Sequence, residues 1–64
     1  MADAERLRSY EAFAAQARAE LADVTQRMDA LRAENKVKTA TYRQLFATRM
    51  TLKDIDRRLA EHGL

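Results

Sequence analysis

Between residues 7 and 31 an apolar side chain recurs at every third or fourth position, and nothing interrupts the pattern. Leu7, Tyr10, Ala14, Ala17, Leu21, Val24, Met28 and Leu31 alternate spacings of three and four, the seam of a helix made to pack on another helix. The chain has no proline, and its single glycine is residue 63, so no strong helix breaker lies before the end. The pattern predicts a helix over about residues 3–34, with Asp3 and Glu5 in a first turn that favours negative charge. Continued, the seam lands on Asn35 and Lys38 and stops. With no glycine nearby, Asn35 is the candidate left-handed residue closing the helix.

A connection is expected over residues 35–40, in the phrase NKVKTAT (35–41), followed by a second helix over about 41–62. Thr39 and Thr41 both suit an N-cap, and Thr41 with Gln44 matches a capping box. Leu45, Leu52 and Leu59 are seven apart, flanked by Tyr42, Phe46 and Ile55, and Gly63 supplies a C-terminal cap. Thr48 and Thr51 bracket Arg49–Met50, and Thr51 with Asp54 resembles another cap, so a break at 48–51 is one reading. The leucine heptad runs through in phase, which favours an unbroken helix.

Folding the chain back near Val37 makes facing residue numbers sum to about 74, the geometry of an antiparallel αα-hairpin. Met28 then faces Phe46, Leu21 faces Leu52, and Ala14 and Ala17 face Ile55 and Leu59, large against small as close packing requires. The expected class is therefore all-α, a coiled-coil-like two-helix hairpin forming one domain over residues 1–64. Leu7 and Tyr10 overhang at the chain start, and Phe13, Phe46 and Met50 lie off the seam. A chain this short buries only about 60% of its unfolded surface. Thirteen of its apolar residues are alanines, which bury little. Dimerisation into a four-helix bundle would supply the missing core and cover those residues. Leu7, Tyr10, Phe13, Phe46 and Met50 are thus the candidate protein interface.

Catalysis finds few materials here. Without cysteine there is no disulfide, thiolate zinc site or cysteine nucleophile, a composition that fits the cytoplasm. The lone His62 has no second histidine at ligand spacing and is expected to complement a helix C-terminus. Asp54 and Asp56 point about 200° apart on a helix and cannot act as a carboxylate pair. Glycine-rich phosphate loops are impossible with one glycine. No catalytic residue, metal, cofactor or small-molecule substrate is expected. Nor is a membrane span, since no run of about 18 apolar residues exists. The start of the chain shows no secretory signal pattern. The alanine- and arginine-rich usage suggests a GC-rich bacterial or phage source.

Charge is distributed unevenly. Residues 1–34 carry five basic and seven acidic side chains, whereas residues 35–64 carry seven basic and three acidic ones. One reading pairs Lys36, Lys38, Arg43, Arg49, Arg57 and Arg58 with Glu20, Asp23 and Glu34 of the first helix. The other offers them, with Lys53, to the phosphates of a nucleic acid. The stretch YRQLFATRMTLKDIDRRLAEHGL (42–64) resembles the front half of many bacterial helix-turn-helix segments. The resemblance covers about a third of the chain and implies a positioning helix at 41–49 and a recognition helix at 51–62. Arg49–Met50 stand where that family usually has a glycine. In the usual alignment, TLKDIDRRLAEHGL is itself the positioning helix. A hairpin dimer presenting basic faces to a duplex needs no break; plasmid copy-number regulators built from paired helical hairpins are an architectural parallel without a shared motif. The favoured expectation is a non-catalytic interaction or adaptor protein, dimeric and binding another protein, with nucleic-acid regulation as the alternative.

Overall fold

The computed structural model describes residues 2–64 and contains two α-helices, α1 (Ala2–Ala33) and α2 (Ala40–Glu61), with no strand among the described residues. They lie antiparallel as a hairpin, 51 × 16 × 15 Å in extent. At about 1.5 Å per residue, the 32 residues of α1 account for almost the whole length.

Both helices end in the same backbone device. At the end of α1, Asn35 takes φ +62°; its N–H reaches the Arg32 carbonyl at 3.1 Å, and the Lys36 N–H reaches that of Leu31 at 2.8 Å. At the end of α2, Gly63 takes φ +80°; its N–H reaches Ala60 at 3.1 Å, and Leu64 reaches Leu59 at 2.9 Å. These paired bonds form the Schellman motif, which satisfies carbonyls that a helix C-terminus otherwise leaves unpaired. Asn35 serves because asparagine tolerates the left-handed region better than other residues with a Cβ.

The start of α2 differs from the sequence expectation. The cap is Thr39, not Thr41: its extended backbone (φ −85°, ψ 157°) lets Oγ1 accept from the Tyr42 N–H at 3.2 Å. The Thr39 hydroxyl also donates to the Lys36 carbonyl at 2.9 Å, which ties the cap to the turn. Thr41 is already inside the helix, so the Thr41–Gln44 capping box does not form. Through 48–51 the helix is unbroken, as the in-phase leucine heptad favours. Thr48 and Thr51 donate their hydroxyls to the carbonyls of Gln44 and Ala47, at 3.0 and 3.2 Å. This back-bonding lets threonine sit within a helix rather than cap one.

The core is thin. Ala14, Ala17, Val24, Met28 and Leu52 are the buried hydrophobic residues. Around the cluster of Ala17, Val24, Met28 and Leu52 pack Leu21, Tyr42, Leu45, Ile55 and Leu59, each half-buried. The seam is as the spacing predicts, with one exception. Phe46, expected opposite Met28, is 49% exposed, and Tyr42 and Leu45 pack on the cluster instead. Phe46 is one residue past Leu45, and that step of about 100° turns it off the seam.

Truncating Leu52, the one buried side chain of α2, to alanine is expected to cost about 2–4 kcal/mol in urea denaturation. The change Thr39→Ala should cost about 1 kcal/mol. Equal losses from both would show that the helix interface is not the main source of stability.

Candidate interaction surfaces

The two helices are joined by polar contacts at two levels of the hairpin. Arg18 Nε donates to Asp56 Oδ1 at 2.6 Å, and its Nη1 donates to the Leu64 carbonyl at 2.6 Å. Toward the turn, Arg32 Nη2 donates to the Tyr42 hydroxyl at 3.1 Å. Both interhelical pairs, 18 with 56 and 32 with 42, have residue numbers summing to 74, the relation expected of a fold about Val37. Inspection of apolar positions alone missed the Arg18 clasp; applying the same sum to the charged residues reveals it. A partly exposed ion pair of this kind contributes up to about 1 kcal/mol.

The five apolar candidates, Leu7, Tyr10, Phe13, Phe46 and Met50, are between 47% and 58% exposed and fall into two groups. Leu7, Tyr10 and Phe13 join Ile55, Leu59 and Leu64 in an open groove of about 550 Å3 at the end where α1 outruns α2, with Arg58 and His62 at its edge. Phe46 and Met50 are elsewhere. Nine residues separate Phe46 from Ile55 and Met50 from Leu59, two and a half turns, so the two pairs stand on opposite sides of α2.

The basic residues also divide. Arg57 bonds Asp54 at 2.7 Å and Glu61 at 2.8 Å; Arg58 bonds Asp54 at 2.9 Å; Lys36 meets Glu34 at 3.2 Å. Of the acids expected as partners, only Glu34, just past the end of α1, plays that part. Asp23 pairs with Arg27 of its own helix at 3.1 Å, and Glu20 forms no ion pair among the described residues. The physical reason is reach. Asp54 stands three and four residues before Arg57 and Arg58, where side chains on one helix meet directly. Every acidic residue of α2 is thereby engaged, since Asp56 holds Arg18. Lys38, Arg43, Arg49 and Lys53 have no acidic partner among the described residues. Arg49 is half-buried and its Nε is shut away from solvent with no hydrogen-bond partner. Such an orphaned donor costs about 1–3 kcal/mol unless something satisfies it.

The region holds no group of three His, Cys, Asp or Glu side chains able to bind a metal among the described residues. His62 is the exposed C-cap of α2. No described helix is long and apolar enough to cross a membrane. No protein-family model, curated protein or solved structure matches the chain.

The hydrogen bond from Arg57, reinforced by the charges of Arg58 and Arg57, holds the Asp54 carboxyl below its ordinary value, outweighing the opposing effect of desolvation. A lowered carboxylate favours the folded state above the unfolded value of about 3.9, and that contribution disappears as pH falls through the folded value. A carboxyl-carbon NMR titration should find Asp54 ionising below the model-peptide value, and Arg57→Gln should move it upward. No movement would remove the Arg57 hydrogen bond as the cause.

Proposed function

We propose that the chain is a non-catalytic helical interaction module that works as a homodimer in the cytoplasm, two hairpins pairing into a four-helix bundle. The observation that carries this reading is surface left uncovered. A compact 7.4-kDa monomer exposes about 4,200 Å2 on the usual area–mass relation, whereas this one exposes 5164 Å2. The excess, about 1,000 Å2, is of the order that each partner contributes to a stable protein interface. Elongation accounts for part of it, but its composition is telling. Leu7, Tyr10 and Phe13 together with Ile55, Leu59 and Leu64 form a continuous apolar groove at one end. An apolar surface of this kind is what a packed interface buries.

A second copy suits the groove because the deficit belongs to the fold itself. Two helices can bury only one seam, and here two of the five buried positions on that seam are alanines. Pairing two hairpins gives each helix a second neighbour and encloses a core, in the manner of four-helix bundles. With two-fold symmetry the same patch is used on both copies, so a substitution there acts twice. Binding another protein through the remaining exposed face gives such a module its adaptor role.

Sedimentation at roughly 50 µM should give twice the 7.4-kDa chain mass, falling toward the monomer on dilution. The pair Leu7→Asp and Phe13→Asp should yield a monomer that keeps its helices by circular dichroism. A monomeric mass for the unaltered chain defeats the reading. Binding of mixed-sequence duplex DNA or RNA that weakens steeply between about 50 and 200 mM salt would put nucleic-acid regulation in its place.

A further inference from the structure

We infer that the flank of α2 opposite the groove is a second docking surface, and that its occupant is an acidic amphipathic helix of a partner protein. The inference rests on reading the chain as a protein-interaction module but not on the groove. The surface consists of Arg43, Phe46, Arg49, Met50 and Lys53. At about 100° per residue these five lie within an arc of about 120°, and they cover about 15 Å of helix. Four are exposed and Arg49 is half-buried.

Three observations define the occupant. The first is leftover charge. Asp54, Asp56 and Glu61 are already bound to Arg57, Arg58 and Arg18, so α2 has no acid to spare for Arg43, Arg49 or Lys53. The second is the Arg49 Nε, a desolvated donor without an acceptor, beside the exposed side chains of Phe46 and Met50. The Nε itself is closed to a ligand, so a partner carboxylate would answer the unpaired charge of the half-buried guanidinium rather than that atom. The third is what lies among the cations. Phe46 and Met50, 49% and 58% exposed, interrupt the positive stripe with two large apolar side chains. A duplex phosphate backbone has no use for them, whereas an amphipathic helix places an apolar residue there and acids on either side. Methionine and phenylalanine beside unpaired cations suit a ligand that is apolar at its centre and anionic at its rim.

The test uses the full chain and a fluorescein-labelled, stapled helix of roughly 18 residues, long enough to span the patch. Its bound face carries two leucines flanked by three glutamates; one control replaces the glutamates by lysine, and another probe is a mixed-sequence DNA duplex. The acidic helix should bind and the lysine helix should not. Arg49→Gln with Lys53→Gln should weaken binding at least about tenfold, since truncating one side of a desolvated charge pair is costly. Phe46→Ala should weaken it independently, and Leu7→Asp should leave it unchanged. If the double variant loses helicity, Arg43→Gln with Lys53→Gln, both at exposed positions, is measured instead. Failure of the acidic helix to bind, binding unaffected by these variants, or tighter binding of the duplex overturns the inference. Sedimentation on the same samples separates the two readings. A dimer that ignores the acidic helix removes this surface alone, and a monomer that binds it removes the groove alone.

Discussion

Along the middle of the hairpin, Ala17 packs in one cluster with Leu52, while Ile55 and Leu59 lie against it. A methyl group is all that α1 presents at Ala14 and Ala17, so the larger side chains of α2 can approach the opposite backbone closely. That approach brings Arg18, the neighbour of Ala17, within reach of both Asp56 and the Leu64 carbonyl. It also limits the core. Alanines let the helices meet but remove little apolar area from water, at about 25 cal/mol per Å2. Close helix contact and incomplete burial therefore have the same origin. The groove forms where the seam leaves the alanines and continues through Leu7 and Tyr10, beyond the reach of α2.

Electrostatics sorts the surface by reach along one helix more than by attraction between helices. The acidic first half and basic second half suggest two oppositely charged helices in register. The side chains mostly find partners three or four positions away on their own helix: Asp23 with Arg27, Asp29 with Arg32, Asp54 with Arg57 and Arg58. Pairing of this kind needs little ordering of long side chains. Arg18 with Asp56 is the interhelical exception, and it is only partly exposed. The basic excess of α2 is accordingly concentrated in a few places. It is largely cancelled around Asp54 and persists around Phe46.

Much of the fold was legible in the residues because local and global signals agree. The seam from Ala14 to Met28, the left-handed Asn35 and the terminal Gly63 each have one physical reading, and the structure uses all three. Thr39 and Thr41 were not separable, because both are acceptable caps and the choice depends on how the turn from Lys36 closes. At Thr48 and Thr51 the in-phase leucine heptad was the better guide than their capping potential, since a hydroxyl that can cap a helix can also bond back to the preceding turn. The five apolar candidates were recognisable as surplus to a two-helix core. Their division between two sides of α2 follows from counting nine residues, a step that inspecting each residue alone does not take. The orphaned Arg49 Nε was not legible at all, since it depends on side-chain burial rather than pattern.

Heptad seams have a weakness of their own: sliding one helix along another by seven residues, about 10 Å, restores the same apolar face. The turn and the Arg18 contacts address this. The chain turns back at Asn35, and the Arg18 side chain grips the carbonyl of Leu64 at the far end of α2. The alignment of the two helices is thus set at the turn and again midway along α1, and a one-heptad slip would forfeit the Arg18 contacts. The protruding first three turns of α1 act as a step on an otherwise uniform rod. A molecule that seats against Leu7, Tyr10 and Phe13 also meets Ile55 and Leu59 of α2, so it touches both helices at once and reads their relative alignment.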